Sequence, residues 1–371
     1  MKIQKIITRI KPFELSQKDQ LAILWTDLEK RANCSVFLSW QWISNWLSLV
    51  SKQMFVVEAY QGNKIVGLGI MVEQQRKAFG LLPIKQWYLH RTGIEQQDQI
   101  WTEYNDFLLD QQIVDEVRDK MVSAINGYDK SVQEFVIGLS SNRVTSCFEK
   151  HFYNSIELIT THGYLVDLSE IKDSYLETVP SKNTRSQIKR SDKLLNQQGN
   201  MTFDVVTDKN QVKALFSEIA KLHIARWQNT REGSGFTNEL FKCFHQKFIN
   251  GGDSTVQIAM LSLDNKALGY LVNFVYNERV YFYLSALTTS ANNKIKIGLS
   301  LHSKAIQYYL SLNIKTYDFL GGEARYKQSL SNSQYVLSMK SFHRKSYILI
   351  IESAFKIIKS NCKLLLLKYT D

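Results

Sequence analysis

The chain has 371 residues, 44% of them apolar and 12% aromatic, which is enough to bury a core and too much for one small domain. Its formal net charge of +11 draws it to polyanions, whether phosphorylated cofactors, nucleotide-sugars, tRNA or an anionic bilayer, without choosing among them. Its 3 prolines and 17 glycines are scattered, so two domains packed together are expected, not two joined by a loose linker.

In chain order, the opening MKIQKIITRIKPFELSQKD breaks its apolar residues with Lys5, Arg9 and Lys11 and lacks a signal-peptide core. Phe55–Tyr60 and Ile65–Val72 predict a hairpin around Gly62-Asn63, with further strands at Gln86–His90 and Asp106–Leu109. A helix over Val114–Ile125 and a strand over Glu134–Leu139 complete that half. Pro180-Ser181 then opens a helix that Ser181 caps and Gly199 stops. Lys182, Arg185, Lys189 and Lys193 line one face of it, with Arg190 beside them, either as a solvated surface or as a guide for an anionic substrate.

The helix over Asn210–Gln228 has the apolar stripe Val212, Leu215, Phe216, Ile219 and Leu222, continued by His223, Arg226 and Trp227. Polar groups thus stand where aliphatics are expected, and Arg231–Phe236 reads as a flexible loop beyond them. Ser254–Leu263, Lys266–Tyr276 and Arg279–Leu287 predict a three-stranded meander turned at Asp264-Asn265 and Asn277-Glu278. A helix over Gly298–Leu312 and a strand over Lys315–Leu320 follow. Asn63-Lys64-Ile65-Val66-Gly67 and Asn265-Lys266-Ala267-Leu268-Gly269 share N-K-x-x-G across the first hairpin of each half, so tandem lobes are expected, divided near residue 178.

The most site-like stretch is Tyr317–Lys327, where a strand end meets Gly321-Gly322 and a dense polar run. Its alternative reading is a glycine turn with exposed charges. No hydrolase triad order, P-loop or metal-ligand spacing is found. Cys34, Cys147, Cys243 and Cys362 are isolated, with no CxxC pair and no nearby Cys/His cluster, so reduced thiols and no metal are expected. The apolar runs Tyr347–Ile351 and Leu364–Leu367 fall far short of the roughly 20 residues of a membrane span. A cytoplasmic protein is expected. Ser346–Lys368 combines apolar residues with Lys356, Lys359, Lys363 and Lys368, either as a membrane-surface helix or as one packed on the core.

LHIARWQNTREGSGF, the hairpins, and YDFLGGEARYKQSL together resemble the acyltransferases of cellulose-biosynthesis (CelD/BcsL) type, a GNAT branch related to the FemAB peptidyltransferases. The likeness covers about Thr184–Leu330, and the first lobe matches in outline. It implies an α/β fold with a mixed sheet, as two tandem GNAT-like lobes, with the site in the second. It further implies His223, Asp318 and Lys327 as catalytic residues, and Arg185, Arg190, Arg226, Trp227, Gly322 and Tyr326 as substrate-binding ones. The stretch corresponding to the GNAT pyrophosphate cradle is Ile295–Ser300, which departs from the usual pattern at Ile295 and offers Lys296, Gly298, Leu299 and Ser300 to acyl-CoA at a helix N-terminus. The implied reaction is transfer of an acyl group, acetyl by expectation, from acyl-CoA to a small-molecule amine, an amino sugar or related surface-polysaccharide precursor. Aminoacyl transfer from charged tRNA, or a non-catalytic envelope-associated role with peripheral membrane contact, are the alternatives.

Overall fold

A computed structural model describes residues 4–230, 233–251, 255–352 and 355. In chain order the elements are β1 (Ile6–Phe13), α1 (Lys18–Glu29), α2 (Trp40–Leu47), β2 (Met54–Gln61), β3 (Lys64–Ala78), β4 (Leu82–Leu89), α3 (Glu95–Asp98), β5 (Leu108–Leu109), α4 (Val114–Tyr128), β6 (Val132–Ser140), α5 (Asn142–Glu149) and β7 (Asn154–Asp167). They continue as α6 (Tyr175–Thr178), α7 (Lys182–Gln198), β8 (Met201–Val206), α8 (Lys209–Trp227), α9 (Glu239–Gly251), β9 (Val256–Leu263), β10 (Lys266–Tyr276), β11 (Arg279–Leu287), α10 (Ile297–Ser311), β12 (Thr316–Gly321), α11 (Arg325–Leu330) and β13 (Ser333–His343). Arg231 and Glu232 of the loop after α8, Ser254, Cys362, the run Leu364–Leu367, and Lys356, Lys359, Lys363 and Lys368 lie outside the described residues.

The chain folds as two compact units. The first takes residues up to Asp98, Tyr104–Thr160 and those from Ser338 on; the second takes Gln99–Glu103 and Thr161–Leu337. These units differ from a single division at residue 178. That position lies inside the second unit, and the chain passes between units within β7 and β13.

Each unit carries the mixed sheet of GNAT plan. In the first, β1, β2, β3 and β4 are antiparallel neighbours, β6 lies parallel to β4, and β13 pairs antiparallel with β6. In the second, β8, β9, β10 and β11 are antiparallel neighbours, β12 lies parallel to β11, and β7 pairs antiparallel with β12. The repeated N-K-x-x-G segments occupy the same place in both. Val66 is the extra residue between the pairs Tyr60↔Ile65 and Ala59↔Gly67, and Leu268 is the extra residue between Ser262↔Ala267 and Leu261↔Gly269. The glycine after each bulge is closely approached by its neighbours: a Cβ on Gly67 would lie 2.5 Å from Met121 Sδ, and one on Gly269 would lie 2.5 Å from Leu287 Cδ2, so a side chain at either place would require those neighbours to shift.

Apolar faces explain the layers. Val117, Met121, Val122 and Ile125 of α4 cluster with Val57, Trp87 and Phe135 of the first sheet. Leu301, Ala305, Ile306 and Tyr309 of α10 do the same with Leu261, Leu271 and Val280 of the second. Each fully buried large side chain of this kind stabilises by about 1.5–3 kcal/mol. Ser181 Oγ accepts from Thr184 N at 3.2 Å and starts α7 as expected. Gly199 ends α7 for a different reason than the left-handed stop its sequence suggests. Its backbone is extended at φ 169°, and a Cβ there would lie 2.2 Å from Asp264 Oδ2. The strand expected over Asp106–Leu109 shrinks to the two residues of β5, paired to β3.

Candidate functional site

The two sheets differ where the parallel strands part. In the second unit the β11/β12 ladder ends at Tyr281↔Asp318, although β11 runs on to Leu287 and β12 to Gly321. In the first unit the corresponding ladder ends at Leu89↔Ile137, where β4 stops, and β3 takes up β5 only after an excursion through residues 90–107. Asn105 fills the gap there: its N–H donates to Leu139 O at 2.9 Å, and its side-chain amide donates to Leu89 O at 3.0 Å. The first opening is stitched shut by its own chain. The same excursion supplies Gln99–Glu103 to the second unit.

The residues around the second opening form a buried charge cluster. β12 and β6 each carry a bulge of two residues opposite one, between Asp318 and Gly321 and between Ile137 and Ser140, so Asp318 occupies the place of the buried Ile137. A carboxylate where the repeat has an aliphatic needs partners. Its partners include Arg279 Nη2 at 2.8 Å, Tyr335 Oη at 2.8 Å, and the N–H of Leu320 at 2.9 Å. That last bond accompanies a strained backbone, since Leu320 has φ +60°. Lys327, on α11, donates to the carbonyls of Leu320 and Gly321, and burial holds its pKa down against the raising influence of Glu103 and Asp318. Gly322 lies against it at φ +116°, where a Cβ would stand 3.3 Å from Lys327 Nζ.

Glu103 is the member that sequence reasoning missed. The Gly321 N–H donates to its two carboxylate oxygens at 3.1 and 2.9 Å. Burial pushes its pKa up to about 7, with Asp318 adding to the rise and the Gly321 N–H and Lys327 opposing it. Its segment is anchored on β11 as well. Tyr283 Oη donates to Ile100 O at 2.8 Å, and the Trp101 ring lies 5.8 Å from that of Tyr283. Trp101 has φ +48°, so the segment is held in a costly conformation.

The other expected catalytic residue, His223, has separate contacts. Its Nδ1 lies 2.8 Å from Ser234 Oγ, and its ring stacks 6.0 Å from Trp227 and meets Phe236 edge-on. Burial, aided by Arg226, lowers its pKa to about 4, leaving a neutral imidazole. Arg226 also stands over the Trp227 ring at 5.5 Å and opposes the burial-driven rise of Tyr326, on the helix that carries Lys327. Tyr326 stacks on the buried ring of His302, 5.4 Å away. On α7, Arg185 turns back to Glu177 Oε2 at 3.1 Å and Glu177 O at 2.6 Å, and Lys189 meets Glu177 at 2.7 Å. Two cations of the expected basic face are therefore matched by one carboxylate; Arg190 is exposed.

Residues 182–328, from the start of α7 into α11, match the family described as acetyltransferase (GNAT) domain. The matched stretch lies wholly within the second unit. Among solved structures, 12% of residues are identical to the C-terminal domain of an Agrobacterium fabrum protein assigned as a lysylphosphatidylglycerol synthetase, with a TM-score of 0.54 over 93% of this chain and 96% of that one. FemX shares 9% identity and a TM-score of 0.56 over 88% and 96%. The L-PGS of Bacillus licheniformis shares 11% and 0.50 over 89% and 94%. These likenesses show a shared fold. No curated protein matches the sequence.

A GNAT acyltransferase implies an acyl-CoA donor, and the two lobes differ in what they offer its phosphates. The first turn of α4 carries Asp115 and Glu116, which oppose an anion. The first turn of α10 has no acidic residue and no side-chain cap, and Lys294 and Lys296 are exposed beside it. Ser191 of α7 fixes that turn, accepting from Lys296 N at 2.8 Å and lying 2.9 Å from Ser300 Oγ. Among the described residues, no helix is long and apolar enough to cross a membrane.

Proposed function

We propose that the protein transfers an acyl group, acetyl by preference, from acyl-CoA to a small-molecule amine in the opening between β11 and β12, with Glu103 as the base. The observation that carries this reading is the buried cluster of Glu103, Asp318 and Lys327 at the point where those strands part. The amine nitrogen attacks the thioester carbonyl, the C–N bond forms and the C–S bond breaks. The proton leaving nitrogen passes to the Glu103 carboxylate, and the departing thiolate takes up a proton. Asp318 accepts from Arg279, Tyr335 and the Leu320 N–H and acts by fixing Leu320 and Arg279. Lys327 balances the carboxylates and orients the Gly321 carbonyl. Lys296, Gly298, Leu299 and Ser300 receive the pyrophosphate, with Lys294 and Arg190 contributing charge. Arg226, Trp227, Tyr326 and Gly322 border the acceptor, and the neutral His223 shapes its aromatic wall.

An amino sugar or related surface-polysaccharide precursor is the proposed acceptor, on the resemblance of about Thr184–Leu330 to CelD/BcsL-type enzymes. The net charge of +11 and the fold shared with FemX favour one second reading, aminoacyl transfer from charged tRNA. Purified protein is to be assayed for free thiol released from acetyl-CoA with a panel of amino sugars, beside deacylation of charged tRNA. Thiol release that needs both an amine and Glu103 supports the proposal; consumption of charged tRNA in its place supports the second reading. Neither activity would point to a binding protein.

A further inference from the structure

We propose that the first unit holds a divalent cation of the zinc type through Asp119, Cys147 and His151. Among the described residues these supply a carboxylate oxygen, a sulfur and an imidazole nitrogen, all within 4.8 Å of one another. His151 Nε2 and Asp119 Oδ1 are 2.8 Å apart. Ligands around tetrahedral zinc, with bonds of about 2.0–2.3 Å, lie roughly 3.2–3.7 Å from each other, so shifts of about an ångström or less, opening the His151–Asp119 pair and closing any wider one, complete three-quarters of a coordination sphere. The fourth position opens to solvent, because the His151 and Asp119 side chains are 20% and 46% exposed while Cys147 is buried.

The scaffold positions these groups in advance. Cys147 and His151 stand four residues apart, at the end of α5 and just beyond it. Asp119 and Asn126 stand seven apart on α4 and so share one face. Asn126 Nδ2 donates to the His151 carbonyl at 2.6 Å, and Asn126 is itself gripped by Arg344 Nε at 2.9 Å. Phe148 and Phe152 flank His151 and are buried in the core. Arg118, whose charge acts on Cys147, is itself bonded to Asp106 at 2.7 and 3.0 Å and to Asp115 at 2.9 Å. A mixed sulfur, nitrogen and oxygen set suits zinc or cobalt over magnesium or calcium. Binding displaces the thiol proton of Cys147 to solvent and forms a metal–sulfur bond that ties α5 to α4.

The test titrates the reduced full chain with cobalt(II), read by thiolate-to-metal charge-transfer absorption and by the ligand-field bands of a tetrahedral site. The expected result is one equivalent bound, displaced by zinc, with the charge-transfer band lost in Cys147→Ser. His151→Gln and Asp119→Asn should weaken binding by at least the roughly 10- to 100-fold seen when even outer partners of ligands are removed. Should Cys147→Ser fail to fold, zinc must slow alkylation of Cys147 in the unaltered protein, read peptide by peptide, and must not do so in His151→Gln. No charge-transfer band, a band that survives Cys147→Ser, or alkylation indifferent to zinc would overturn the proposal.

Discussion

Replacing Glu103 by Gln separates a catalytic carboxylate from a structural one, because the two roles predict opposite signs for stability. An ordinary glutamate has a pKa of 4.5, whereas burial raises Glu103 to about 7. Across that interval the folded protein holds a proton that the unfolded chain has released, so this residue makes stability fall as pH rises from about 4.5 to 7. At about 1.36 kcal/mol per pH unit the cost reaches at most ~3 kcal/mol above pH 7. Gln is uncharged and can still accept from the Gly321 N–H. The variant should therefore be more stable than the parent at pH 8, with the difference shrinking toward pH 4.5, as read by urea unfolding at a series of pH values. Turnover should meanwhile fall by about 10²–10⁴-fold, and the limb of the pH–rate profile near 7 should disappear. A variant that is less stable at pH 8 and keeps its turnover would refute the assignment of Glu103 as a buried base.

Other perturbations probe the groups around it. Arg279→Met should destabilise by about 3 kcal/mol, since Asp318 would remain buried without its cation; adding Asp318→Asn should recover part of that loss in a double-mutant cycle by chemical unfolding. Gly322→Ala forces a side chain into a backbone at φ +116° and against Lys327, so a loss of about 1–3 kcal/mol and a larger loss of kcat are expected. Lys296→Asp should give opposite signs in two assays: a capped α10 raises thermal stability by about 1 kcal/mol, while calorimetry shows weaker acetyl-CoA binding, because the new carboxylate faces the proposed pyrophosphate. Unchanged affinity would remove the α10 N-terminus from the donor site.

Several elements were legible because they rest on local pattern. The hairpins around Gly62-Asn63 and Asp264-Asn265, the amphipathic helices α4, α7, α8 and α10, and strands β6, β9, β10, β11 and β12 are coded by turn residues and apolar periods that act over a few positions. The two N-K-x-x-G segments identified a repeat whose bulges the structure aligns residue for residue. Asp318 and Lys327 announced themselves as charges in a strand end and glycine turn whose pattern called for neither. In contrast, β1, β8 and β13 lack a clean alternation. Their strand character comes from the neighbour each one pairs with.

The sequence by itself determined the tandem α/β plan, the lobe richest in polar chemistry, and two members of its charge cluster, because those features follow from spacing along one element. Only the tertiary structure decided that the β4-to-β5 excursion carries Glu103 to Gly321, that Asn105 closes the first opening, and that His223 turns to Ser234. It alone joined Asp119 of α4 to Cys147 and His151, where the sequence shows an isolated cysteine and predicts no metal. A carboxylate's pKa and its partners depend on what is buried around it, and burial is settled by contacts between residues far apart in the chain.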